Sequence, residues 1–206
     1  MEQSMKIILA SASPRRRELL EKLKIPFEVH VSGCDEDCDE TEPALLVQEL
    51  SRRKAAAVAE SLGCGCRSES QAADTAGQTG DRVLILGADT IVVSDGKILG
   101  KPADEEDACR MIRGYCGRTH EVLTGVTLID AADGRTKTFC ARTAVSVCEM
   151  DEEEIRAYAA TGEPADKAGA YGIQGLFEPY VERIEGEYAN VVGLPLAALR
   201  KAIREF

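Results

Sequence analysis

The sequence predicts a mixed α/β fold of α+β character, a twisted and partly antiparallel sheet flanked by helices. Three observations carry that prediction. Short strand-like apolar runs alternate with amphipathic helical segments along the chain, the pattern of a layered α/β domain. Asp95-Gly96 and Asp133-Gly134 each sit between two such runs, and Asp-Gly is a strong hairpin signal, so part of the sheet must be antiparallel. Finally, 206 residues with 44% hydrophobic content suffice for one core, so residues 1–206 read as a single domain.

Taken in order, Lys6–Ala10 (KIILA) is a short buried strand. Ser13 is a favoured N-cap and Pro14 fits the first helical position, so a helix opens there with Leu19, Leu20 and Leu23 on its apolar face. Phe27–Val31 alternates as a strand and leads into an acidic loop from Cys34 to Glu42. Pro43 starts a second helix running to about Leu62, with Leu45, Leu46, Leu50, Ala57 and Val58 expected in the core. Residues 63–81, rich in Gly, Ser, Ala, Thr and Gln and without apolar periodicity, read as a surface insertion loop. Arg82–Leu86 is again a buried strand, and Thr90–Val93 with Lys97–Leu99 forms the first hairpin. Ala103–Tyr115 is helical, His120–Ile129 and Thr136–Cys148 form the second hairpin, and Asp151 caps a helix to about Ala160. After the Gly-rich stretch Gly162–Gly175, Phe177–Ile184 and Tyr188–Val192 are expected as a final strand pair, and Pro195 opens the last helix.

Charge narrows the partners. With 36 acidic against 25 basic residues the chain carries −11, which argues against a protein that wraps a nucleic acid polymer. A small anionic ligand is not excluded, because a few placed cations override the global field. Eight cysteines are present, yet no C-x-x-C occurs and only His30 and His120 could complete a zinc site. The early apolar run Ile7–Ala10 is too short for a signal peptide, and nothing approaches the roughly 20 apolar residues of a membrane span. The expectation is therefore a cytoplasmic protein with reduced, mostly structural thiols and no membrane partner.

Four segments can carry chemistry. In Ser11-Ala12-Ser13-Pro14-Arg15-Arg16-Arg17, hydroxyls, arginines and a helix N-terminus offer donors to phosphate oxygens; an ordinary capped helix with surface arginines is the alternative. Gly87-Ala88-Asp89-Thr90 ends an apparently buried strand in a carboxylate able to hold Mg²⁺ or activate water, with Glu36 of the acidic loop as a second oxygen ligand among Asp35, Asp37, Asp39 and Glu40. Gly100-Lys101-Pro102 can aim a lysine at the same strand end, whereas Lys54, in Arg52-Arg53-Lys54, has a solvated helix face as its alternative. In Glu163–Gly175 (EPADKAGAYGIQG) the glycines permit close backbone approach, and Gln174 can donate to and accept from a nucleobase edge.

These segments, with EVLTGV and the terminal NVVGLPL, occur in the order of the Maf family of nucleoside triphosphate pyrophosphatases, which the chain resembles almost end to end. Arg15, Thr90 and Gln174 match the dTTP/UTP pyrophosphatase-like branch, not the one acting on 7-methyl-GTP. The resemblance implies an inosine-triphosphatase-like, two-lobed fold with a central cleft, and hydrolysis of dTTP, UTP and related pyrimidine nucleotides to monophosphate and pyrophosphate. It implies Asp89 as catalytic acid–base residue or metal ligand, and Glu36 as its carboxylate partner on Mg²⁺ or Mn²⁺. It further implies Arg15, Lys54 and Lys101 on phosphate and Gln174 on the base, with Ser11, Ser13, Arg16, Thr90 and Lys167 also at motif positions in the substrate site. A homodimer is expected. The alternatives are a nucleotide-binding regulator of septum formation with little turnover, and a 7-methyl-GTP pyrophosphatase.

Overall fold

In a computed structural model, which describes residues 5–64 and 82–206, a single sheet organises the chain. Its order is β2-β1-β3-β5-β6-β7, with β4 on β3 off this path. The strands are β1 (Met5–Leu9), β2 (Phe27–Val29), β3 (Arg82–Ser94), β4 (Lys97–Leu99), β5 (Thr119–Asp130), β6 (Thr136–Val147) and β7 (Val181–Glu185). β2, β1 and β3 run parallel, while every pairing from β3 through β7 is antiparallel, which gives the mixed sheet expected. The Asp95-Gly96 turn has φ of 48° and 73° at its two residues, the positive pair that a tight hairpin of the right twist requires. Asp133-Gly134 instead lies inside a longer connection between β5 and β6. The predicted insertion falls almost wholly outside the described residues.

Among the described residues six α-helices flank the sheet: α1 (Pro14–Glu21), α2 (Pro43–Ser61), α3 (Glu105–Tyr115), α4 (Glu152–Ala159), α5 (Tyr188–Val192) and α6 (Leu196–Arg204). Among the described helices α2 covers one face, and two glycines let it come down. A Cβ at Gly87 would overlap the Ser51 carbonyl, and one at Gly125 the Val47 carbonyl. Backbone-to-backbone approach of this kind tolerates only hydrogen at those positions. The opposite face carries the larger core, built around Leu84, Leu86, Ile112, Tyr115, Phe177 and Leu199.

Three expectations are corrected. The segments Arg82–Leu86 and Thr90–Val93 are one 13-residue strand, so Asp89 sits within β3 and not at its end. A strand buried on both faces has no alternation to mark its length. Tyr188–Val192 is α5, and of Phe177–Ile184 only the part from Val181 joins the sheet, after a 3₁₀ turn at Glu178–Tyr180. The β-branched pair Val191-Val192 suggests a strand, but tertiary bonds of the fully buried Asn190 override that preference: its Nδ2 donates to the Val122 carbonyl and to Thr143 Oγ1. Leu45, expected in the core, is exposed at the first turn of α2.

Candidate active site

The site begins as a gap in strand pairing. β1 accompanies β3 only as far as Leu9 opposite Leu86, and β4 joins the same edge only at Val92 opposite Leu99. Between them Gly87–Ile91 is paired on the β5 side, Asp89 opposite Gly125 and Thr90 opposite Thr124, while the other edge opens into a cleft of about 1010 Å³. Loops gather where a sheet loses a neighbour, and ligands bind there. All eleven side chains named from the sequence line this one cleft: Ser11, Ser13, Arg15, Arg16, Glu36, Lys54, Asp89, Thr90, Lys101, Lys167 and Gln174. Five cations and four carboxylates line it, so its formal charge is positive by one in a chain of −11. That local reversal is what a polyanionic ligand needs.

One wall is built on Lys54. Because α2 sits low over Gly87 and Gly125, Lys54 is buried, and its ammonium reaches Asp89 Oδ1 at 2.6 Å and Glu36 Oε1 at 2.9 Å. The solvated-face alternative for Lys54 is thereby excluded. Asp89 comes from the buried strand and Glu36 from the exposed acidic loop, so one ammonium ties a strand carboxylate to a loop one. The Lys54 hydrogen bond, with further help from Lys54, Lys101 and Arg16 charge, holds the Glu36 carboxyl below its ordinary range. Among the described residues no three His, Cys, Asp or Glu side chains form a ready-made metal cage. Two convergent carboxylates beside an open anion site nevertheless suit Mg²⁺ or Mn²⁺, which is commonly held by one or two carboxylates together with substrate phosphates.

The facing wall is the start of α1. Ser13 occupies the N-cap position and Pro14 the first helical one, yet the Ser13 hydroxyl makes no capping bond, which leaves the first-turn amides without a side-chain partner. Arg16 is buried: its Nε donates to the Gly193 carbonyl at 2.9 Å, Nη1 to Ser11 Oγ at 3.3 Å and Nη2 to Thr90 Oγ1 at 3.0 Å. Burial lowers its pKa, and the negative charges of Asp89 and Glu36 oppose that loss. Arg15 lies 3.7 Å from Asp166, whose carboxylate also accepts from Lys167 at 2.6 Å. Lys101 and Gln174 are exposed at the rim.

The Gly-rich loop closes the third side and is stapled from below. Glu163 accepts from Tyr158 Oη and from the Leu176 amide, each at 2.9 Å, so its carboxylate spans the base of the loop that presents Gln174. Tyr115 Oη donates to the Gly169 carbonyl at 2.9 Å, and Tyr171 Oη meets His120 Nε2 at 2.7 Å. Gly169 needs its positive φ of 73°, and a Cβ there would also press on Val92.

Sequence reasoning missed some of this support. Arg53 donates to the Asp37 carbonyl at 2.6 Å and is itself gripped by Glu49 at 2.8 Å, which anchors the loop bearing Glu36. Its only sequence signal was the i, i+4 spacing of Glu49 and Arg53. Thr124 and Asn190 underlie Thr90 and Arg16, and their signal was membership of EVLTGV and NVVGLPL, motifs to which no role attached.

The Maf-like protein family model matches residues 6–206. Among solved structures, a nucleoside-triphosphatase / dITP/XTP pyrophosphatase from Mycobacterium abscessus is a distant likeness, with TM-score 0.44 and 13% identity, covering 97% of this chain and 95% of that one. Curated relatives are much nearer. A dTTP/UTP pyrophosphatase of Agathobacter rectalis is 48% identical over 97% of this chain and 96% of its own length. One from Bacillus cytotoxicus is 46% identical over 98% and 95%, and one from Pelotomaculum thermopropionicum 44% over 97% and 96%. With the family model spanning nearly the whole chain and relatives this similar from end to end, the chain belongs to the Maf family.

Proposed function

We propose that this chain hydrolyses nucleoside triphosphates, dTTP and UTP foremost and related or modified pyrimidine nucleotides with them, to the monophosphate and pyrophosphate, clearing unwanted nucleotides from the pool. The observation that carries the reading is the junction at Lys54. It joins a buried and a loop carboxylate in the same cleft as an arginine-bearing helix start. The names of the similar proteins supply the nucleotide class.

In this reading Arg15, Arg16, Lys101 and Lys167 bind the phosphates and offset charge on the departing pyrophosphate, with Ser11 and Ser13 as neutral donors. Asp166 yields Arg15 and Lys167 to the substrate. Lys54 orients Asp89 and Glu36. The Asp89 carboxylate has Oδ1 on Lys54 and no other side-chain hydrogen bond among the described residues, so its second oxygen is the group that orients the attacking water. Asp89 and Glu36 would hold Mg²⁺ or Mn²⁺, which supplies Lewis acidity at the phosphate and a more acidic water when bound. Gln174, presented by the stapled loop, reads the base edge. The reading includes a cytoplasmic homodimer without a nucleic acid polymer as partner; two-fold oligomers are the commonest kind. Among the described residues no helix is long and apolar enough to cross a membrane.

The test is pyrophosphate release from dTTP, UTP and 7-methyl-GTP with Mg²⁺, for wild type and Asp89→Asn, with and without chelator. Release from the pyrimidine nucleotides, lost in Asp89→Asn and under chelation, is expected. Undiminished release under full chelation would remove the metal role, binding without release would favour a regulator, and release from 7-methyl-GTP alone would overturn the specificity.

A further inference from the structure

Thr90 and Thr124 are register partners on β3 and β5, and their hydroxyl oxygens lie 3.0 Å apart. Distance alone does not say which one donates, but their neighbours do. A guanidinium carries only donors, so Thr90 Oγ1 accepts from Arg16 Nη2. A carbonyl only accepts, so Thr124 Oγ1 donates its single proton to Asn190 O at 3.1 Å. Thr124 then has no proton left for Thr90, and Thr90 must donate to Thr124. Every proton is assigned in a one-way chain: Arg16 to Thr90, Thr90 to Thr124, Thr124 to the Asn190 carbonyl.

Both ends of this chain are anchored by one segment. Asn190 is fully buried, with Nδ2 bound to the Val122 carbonyl and Thr143 Oγ1. Three residues later Gly193 offers the carbonyl that takes Arg16 Nε. Among the described residues three of the five N–H donors of the Arg16 guanidinium are engaged, with Gly193, Ser11 and Thr90, and one on each Nη is left for an anion in the cleft.

We propose that Thr124 is a positioning residue for Arg16. It acts by accepting the Thr90 proton, which keeps a Thr90 lone pair turned to Arg16 and the two remaining guanidinium donors turned to the phosphates. Without the Thr124 hydroxyl the Thr90 proton has no acceptor in this chain and competes with Arg16 Nη2, donor against donor. The arginine then loses its fixed orientation, although Gly193 still holds Nε. The inference rests on the phosphate-binding role proposed for Arg16.

Thr124→Val keeps the branched shape and exchanges the hydroxyl for a methyl group, and the Asn190 carbonyl retains the Gly193 amide at 3.0 Å. Thr124→Ser restores the hydroxyl. Two readouts are made on the full-length protein: kcat and KM for pyrophosphate release from dTTP, and calorimetric affinity for inorganic tripolyphosphate. Thr124→Val is expected to raise KM and weaken tripolyphosphate about tenfold, with kcat changed far less, as loss of a buried hydrogen bond to a charged network implies. Thr124→Ser should return both to within about threefold, and Thr124→Val should add nothing in an Arg16→Ala background. Unchanged tripolyphosphate affinity in Thr124→Val, failure of Thr124→Ser to rescue, or a full additional loss on top of Arg16→Ala would each overturn the proposal. If wild type binds tripolyphosphate but releases no pyrophosphate, the proposed activity fails while the affinities still judge Thr124. If wild type binds none, the anion role of Arg16 fails and this inference with it.

Discussion

Protonation of His120 should unfasten the floor of the cleft, and the size of the effect can be worked out. The ring is 1% exposed, lies 4.8 Å from the Tyr115 ring between centroids, and touches Tyr171 Oη through Nε2. Among the described residues its Nδ1 has no hydrogen-bond partner. Burial alone lowers its pKa from 6.5 to about 4. In the unfolded chain the imidazole regains its ordinary value, so between pH 6.5 and about 4 the unfolded state holds a proton that the folded state refuses. Stability must therefore rise with pH across that window: it is whole above the unfolded value and drains away as the pH falls toward the folded one. The complete gap corresponds to about 3 kcal/mol, and about 2 kcal/mol of it is already lost on going from pH 7 to pH 5.

Urea unfolding of wild type and His120→Gln at both pH values isolates this contribution, because glutamine can keep a polar contact with Tyr171 but does not titrate. His30 and the carboxylates are common to both proteins and cancel in the comparison. Wild type should lose about 2 kcal/mol more than His120→Gln on acidification, whatever the substitution costs at pH 7. A loss equal in the two proteins to within about 0.5 kcal/mol would refute the reasoning, since it would mean that the ring is hydrated or charged in the native state.

Two further substitutions probe the walls. In Gly125→Ala the new methyl group meets the Val47 carbonyl, so α2 must lift; about 3 kcal/mol of destabilisation is expected by thermal or urea unfolding, with loss of turnover because Lys54 leaves Asp89. Unaltered stability would show that α2 is not seated as described. Arg53→Ala releases the acidic loop from its clamp at Asp37. The Mg²⁺ concentration for half-maximal activity should rise about tenfold while unfolding is little changed, and a metal titration identical to wild type would deny Arg53 any part in placing Glu36.

How much of this could be read from the sequence depended on how far away each residue's partner lies. Pro14 and Pro43 do begin helices, Asp95-Gly96 does turn a hairpin, and Asp151 does cap α4 through a reciprocal bond with Glu154, because each signal and its partner lie within one turn. The length of β3 and the helical state of α5 were not legible for the opposite reason. Burial on both faces erases the alternation in β3, and α5 is fixed by Asn190 bonds to strands 47 and 68 residues away.

The run Arg52-Arg53-Lys54 shows where that boundary falls. Successive residues of a helix point about 100° apart, so three adjacent cations face three different surroundings. Arg52 remains in solvent with Glu49, Arg53 reaches out to the loop that carries Glu36, and Lys54 turns under to Asp89. The apolar stripe of the helix puts Lys54 on the buried face, seven residues after Val47 and four from both Leu50 and Val58. How deep it goes is set by Gly87 and Gly125, where hydrogen in place of a methyl lets α2 sink until that lysine meets a strand carboxylate. Their part becomes readable only once β3 and β5 are paired with Asp89 opposite Gly125. A basic triplet that looks like a solvated face thus places one lysine against the cleft carboxylates, with two residues that carry no side chain setting the distance.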